Sequence, residues 1–383
     1  MIHFRMSLVG LAAATSILLA ACGGSHTSTL LPSDHSLQPQ LNGGPGNLAQ
    51  PTLYVSGQGS VYAYDLGASG NAAPVSKSGG YYYQGPGGLG ASIAGIATNT
   101  DGDLAVVQNV TSPQGGGNSC QVVLILARTS ENINDTFRVA PCVNPGGRGT
   151  TPGKAIGVTY TGWPRKGIPD DIDVLMHYEP NGDPNLIGCY GTSQPQYQVN
   201  RYHVSAPYFR PVYCVPLPSR SGVVYHAIAG STNGAYFLDA SVAGGSDAVL
   251  RVDGYSFTNI GEIPGAGPLA VSANPATNVG HRVVASTVGG ITTVYSFTMN
   301  SDGSMTFNHA LGTFTNRVGA LAVDNNGTIY VGVNQPNGVT KVKVYGPTKT
   351  QATDPDYVLN DPVRRPNPSA SPAAAITGMA IAQ

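Results

Sequence analysis

Apolar and polar residues alternate over short runs that are cut at regular intervals by Gly, Asn, Asp and Pro. The clearest stretch is RVGALAVDNNGTIYVGVNQPNGVTKVKVY, residues 317–345. Period-two alternation predicts strands, and Asn-Asn-Gly and Gln-Pro-Asn-Gly predict the tight turns between them. Degraded copies recur. Leu53–Ser56 and Ser60–Asp65 read as strands around a Gly57–Gly59 turn, and Pro74–Lys77 reads as an outer partner. Gly95–Thr98, Leu104–Gln108, Cys120–Ala127 and Thr136–Cys142 form a second unit, with a hairpin turn at Thr100–Asp103. A third unit starts near Ala155 and continues through Ile172–Tyr178, after which Asn185–Tyr190 and Tyr197–Leu217 are irregular. Val223–Gly265, Leu269–Thr315 and Arg317–Leu359 give three more.

The last apolar run, Ile376–Gln383, matches the first strand of every other unit, whereas Leu53–Lys77 lacks a first strand of its own. One unit is therefore divided between the two ends. A row of such sheets buries its faces only against neighbours, and a ring leaves no exposed end. The expectation is all-β: a six-bladed β-propeller closed by a blade shared between N- and C-terminal strands, with seven blades if residues 187–218 hold a divergent one. No long helix is expected.

The stretches LYVSGQGSVYAYDLGASGNAAPV and GALAVDNNGTIYVGVNQPNGVTKVKVYGP resemble the repeat of NHL-type propellers, particularly those of uncharacterised bacterial secreted proteins. The resemblance spans residues 51–383, is close in the first and last units and weak in the third. It implies the fold and little about activity, because one propeller architecture hosts many chemistries.

Composition sharpens the picture. The 383 residues are only 10% charged, with 51 Gly, 29 Pro and 20 Tyr, as suits many short strands and turns. A net charge of −1 without a basic block excludes the electrostatic footprint of a nucleic-acid binder. Residues 1–21 carry Arg5 and then an apolar run too short for a permanent span, ending in Leu19-Ala20-Ala21-Cys22. This resembles a bacterial lipobox, which implies cleavage before Cys22, its lipidation, and a protein anchored to the cell envelope. By the same resemblance, Gly23 favours the outer membrane in a Gram-negative cell. Residues 22–50 read as a flexible tether rich in Gly, Ser, Pro and Gln, and residues 51–383 as a single domain.

Four further cysteines, Cys120, Cys142, Cys189 and Cys214, form an even set in an exported chain, which suggests disulfides. Three pairings are open, and the short loops favour Cys120–Cys142 with Cys189–Cys214. No Cys-x-x-Cys spacing points to zinc.

Candidate chemistry is sparse. Asp171, Asp173 and His177 fall on one face if Ile172–Tyr178 is a strand, and could bind a metal or act as acid and base. Asn99-x-Asp101-Gly102-Asp103 resembles the start of a calcium loop, but hairpin geometry accounts for it. Tyr81, Tyr82 and Tyr83, and Trp163 with Arg165, are candidate stacking and binding residues. Apolar first strands point to an inert channel. The sequence therefore favours a lipid-anchored, monomeric, non-enzymatic module that binds protein or glycan and needs no cofactor. The alternative is a divalent-metal-dependent hydrolase or lyase, similar to the calcium propeller lactonases or the streptogramin lyases, with Ca2+ in the channel.

Overall fold

Alternation in the reference stretch becomes β20 (Arg317–Val323), β21 (Ile329–Asn334), β22 (Thr340–Tyr345) and β23 (Tyr357–Asn360), paired antiparallel in that order. A computed structural model of the chain describes residues 51–57, 59–74, 76–79, 91–99, 103–111, 118–125, 137–141, 153–161, 171–178, 197–203, 210–218, 222–230, 236–242, 247–253, 256–263, 265, 267–273, 279–301, 304–363 and 375–382. The β20–β21 turn works as its sequence demands. Asp324 Oδ1 accepts the N–H groups of Asn326 (2.9 Å) and Thr328 (2.8 Å), and Gly327 takes φ +83°, which a side chain would resist.

Five more sheets repeat the plan. Blade 1 joins β24 (Gly378–Ala382) to β1 (Thr52–Gly57), β2 (Ser60–Asp65) and β3 (Ser76–Gly79). Blade 2 is β4 (Ala91–Thr98), β5 (Leu104–Thr111), β6 (Asn118–Ile125) and β7 (Phe137–Pro141). Blade 3 is β8 (Gly153–Thr161), β9 (Asp171–Tyr178), β10 (Tyr197–His203) and β11 (Arg210–Pro216). Blade 4 runs through β12 (Val223–Gly230), β13 (Tyr236–Val242), β14 (Asp247–Asp253) and β15 (Ser256–Ile263). Blade 5 runs through β16 (Leu269–Ala273), β17 (Gly280–Val288), β18 (Ile291–Met299) and β19 (Met305–Phe314). The reference stretch is blade 6.

The innermost strands β24, β4, β8, β12, β16 and β20 neighbour one another in cyclic order, and β20 returns to β24. Six apolar clusters fill the six spaces between successive blades. Leu53, Tyr62 and Tyr64 of blade 1 meet Tyr330, Val342 and Val344 of blade 6, while Tyr54 and Val61 on the other face of blade 1 meet Ile96 and Val106 of blade 2. Successive residues of one strand thus bury against opposite neighbours, as the pleat requires. The protein is a six-bladed β-propeller. β10 and β11, from a stretch read from sequence as irregular, are the outer two strands of blade 3, and no seventh blade occurs among the described residues.

Blades approach most closely at inner-strand glycines. A Cβ on Gly230 would lie 1.9 Å from the Tyr160 carbonyl oxygen, so no larger residue fits without parting blades 3 and 4. Side chains of three second strands, β5, β13 and β21, add polar clasps to the next blade. Asn109 donates to Ala155 O and accepts from Ala155 N, both at 2.8 Å. Asn334 makes the same pair with Ile376, at 3.1 and 2.7 Å, and Asp239 accepts from Gly267 N at 2.8 Å.

Candidate functional site

The densest polar constellation among the described residues lies at the base of blade 3, where β8 ends and β9 begins. Cross-strand register builds it. Asp173 pairs with Arg201 and Asp171 with His203, so two carboxylates spaced by one residue face two basic groups spaced by one residue. The Arg201 guanidinium grips Asp173 with both prongs, Nε to Oδ1 at 2.8 Å and a terminal nitrogen to Oδ2 at 2.7 Å. Thr161, the last residue of β8, donates its hydroxyl to Asp173 Oδ2 at 2.9 Å. His203 Nδ1 meets Asp171 Oδ1 at 2.5 Å, and Arg201 Nε stands 3.9 Å from the other Asp171 oxygen.

Both carboxylates are buried. Burial pushes Asp171 above the usual range, against the opposing pull of the His203 hydrogen bond and of the positive charges of His203 and Arg201. Burial works against the Arg201 charge, but the hydrogen bond and charge of Asp173 outweigh it and hold Arg201 above its ordinary value. Tyr236 of blade 4, buried nearby, is raised far above the phenol range by burial and by the Asp173 charge. Its hydroxyl has no hydrogen-bond partner among the described residues. His203 faces outward, with 44% of its side chain exposed. A network so fully paired positions its neighbours.

Asp171 and Asp173 do share a face of β9, as the sequence suggests, but His177 is remote from them. Six residues along a strand is about 20 Å. There His177 lies opposite Lys154 and Tyr197, its ring 4.7 Å from that of Tyr197. Among the described residues no group of three or more His, Cys, Asp or Glu side chains is arranged to hold a metal ion. The residues that sequence reasoning missed are Thr161, Arg201 and His203. The available signal was Asp-x-Asp mirrored by Arg-x-His on the next strand. The Asn99–Asp103 stretch closes a hairpin, with Asp103 N donating to Asn99 Oδ1 at 2.8 Å.

Cys120 and Cys214 are buried in β6 and β11, and Cys120 Sγ lies 3.7 Å from Met176 Sδ. Cys22, Tyr81, Tyr82, Tyr83, Cys142, Trp163, Arg165 and Cys189 lie outside the described residues.

No protein-family model and no curated protein matches the chain. Among solved structures, a six-bladed propeller lectin of Aleuria aurantia, described with a novel fucose recognition mode, is 11% identical over 83% of this chain and 97% of its own, with a TM-score of 0.43. AofleA of Arthrobotrys oligospora is 8% identical over 67% and 68%, at 0.42. A polysaccharide lyase, an ulvan lyase, is 9% identical over 78% of each chain, at 0.40. At such scores these likenesses carry no argument, and the fold stands on sheet order and ring closure.

Proposed function

We propose that the chain is a lipid-anchored, extracytoplasmic propeller that binds a glycan through the segment joining β8 to β9. The observation that carries this reading is the locking of both ends of that segment. Thr161, where it leaves β8, and Asp171, where it enters β9, belong to the buried Asp173–Arg201 network. The segment carries Trp163 and Arg165, an indole able to stack on a sugar ring and a guanidinium able to bond its hydroxyls. Holding the two ends of a binding segment in place lowers the ordering cost of binding. A glycan panel probed with the full-length chain, with a peptide panel beside it, tests the idea. Binding to one glycan class that W163A weakens at least tenfold is expected. Glycan binding indifferent to W163A and R165A, no glycan binding, or binding to peptides alone would overturn it.

The anchor and the cross-links belong to the same reading. Cys22 is the acylated residue, and C22S should move the protein from the detergent phase to the aqueous phase. Cys120 pairs with Cys142 and Cys189 with Cys214. Supporting the first, Cys120 lies in β6, which pairs with β7, and β7 ends at Pro141, one residue before Cys142 in sequence. Each bridge would contribute about 2–4 kcal/mol. Non-reduced peptide mapping that recovered other pairs would refute this connectivity.

A further inference from the structure

The opposite rim of the ring, where inner strands begin and second strands end, carries a different chemistry at blade 4. Four inner strands have a one-residue bulge near their start, at Ala94, Ile156, His226 and Gly319. Ala94 and Ile156 are partly buried against the cluster shared with the following blade. At the same place blade 4 holds His226, which is exposed and hydrogen-bonded through Nε2 to Ser241 Oγ at 2.7 Å. Ser241 lies near the end of β13, opposite Val224, whose side chain is itself exposed. Asp239, two residues earlier on the same face, holds the loop that enters blade 5 through Gly267 N. That loop passes the β17–β18 hairpin, where Gly265 lies against Thr287 and Val288, and Val288 and Ile291 are exposed. A bulge that replaces an interface residue by an accessible imidazole re-aims a side chain at the surface. A serine hydroxyl within hydrogen-bond reach of an imidazole is the core of an activated nucleophile.

We propose that Ser241 and His226 form a nucleophile–base pair that hydrolyses carboxylic esters with apolar acyl groups, the apolar rim side chains Val224, Val288 and Ile291 facing the acyl chain. With its proton on Nδ1, His226 accepts the Ser241 proton at Nε2 as Oγ bonds to the ester carbonyl carbon. The carbonyl π pair moves onto its oxygen. Collapse of that intermediate breaks the bond to the alcohol oxygen, which takes the proton from Nε2 and leaves an acyl-Ser241. Water then gives a proton to Nε2 and attacks the acyl carbon, and the carboxylic acid departs as the proton returns to Oγ.

The full-length protein is treated with a fluorophosphonate probe and its peptides are mapped, while p-nitrophenyl butyrate hydrolysis is followed in parallel. Expected results are labelling at Ser241, at least a tenfold loss of labelling and turnover in H226A, and complete loss in S241A. H226Q serves if H226A fails to fold. An unlabelled Ser241, labelling indifferent to His226, or labelling without ester turnover overturns the proposal.

Discussion

Arg201 bears on two buried carboxylates, and its removal is the most consequential single change at the base of blade 3. Asp173 would keep only the Thr161 hydroxyl among the side-chain partners described above. Stranding a buried charge costs about 3–5 kcal/mol. Arg201→Ala should therefore lower stability by about that amount in a urea titration, whereas Arg201→Lys, retaining charge without the fork, should lose less. A loss below about 1 kcal/mol would show that the network contributes little. Two histidines set a pH dependence. Burial lowers His281 against the opposing pull of Asp324, and burial lowers His309, both from 6.5. Their neutral forms are favoured in the fold, so the unfolded chain binds more protons below 6.5. The stability they supply is present above that pH and lost as pH falls through their lower folded values. Melting curves between pH 7.5 and 5 should show this decline, and His281→Phe with His309→Phe should flatten it.

At the scale of the element, adjacent blades are held by apolar faces supplemented by one recurring polar device. Asn109 and Asn334 each satisfy both the N–H and the C=O of one residue in the next blade. Each substitution to Ala should cost about 1–3 kcal/mol, because it orphans two backbone groups. The double variant should show additive losses, since the two clasps serve different interfaces. Strong non-additivity would mean that loosening one interface already loosens the others. Elements built on Gly-bounded alternation were legible in the sequence, and blades 4, 5 and 6 lie near where it places them. The outer strands of blade 3 were not. Gln198 and Asn200 are fully buried on one face of β10, satisfied in part by the Tyr178 hydroxyl, and Arg201 followed by Tyr202 breaks the alternation that Tyr197–Asn200 begins, so polarity there does not mark a solvent face. The same concealment hid Arg201 and His203 as the cross-strand partners of Asp173 and Asp171.

Over the whole molecule, the sequence discloses ring closure through what each end lacks. Ile376–Gln383 is a first strand without successors and Leu53–Lys77 a set of successors without a first strand. The structure joins them, pairing Thr52–Ser56 with Gly378–Ala382. The Ser56–Thr377 hydroxyl contact and the bond from Thr98 Oγ1 to Ile381 O add to the junction. Deleting residues 376–383 removes an inner strand and opens two interblade faces together. The expected result is global loss of cooperative unfolding and an expanded hydrodynamic radius. A truncated chain that melted as sharply as the intact one would show that the ring tolerates a gap.

The same strand has a second consequence. No short turn ties β24 to β1, and the covalent route between them runs through the other five blades. It is also the last of the described strands to be synthesised, so three blade-1 strands wait with an open edge until it arrives. Physically it resembles a tethered peptide ligand docked on a sheet edge, its effective concentration set by the folded state of everything between. A chain ending before Ile376 should therefore be rescued by a synthetic peptide of residues 375–383 supplied in trans, and the affinity of that peptide would measure the free energy of closing the ring.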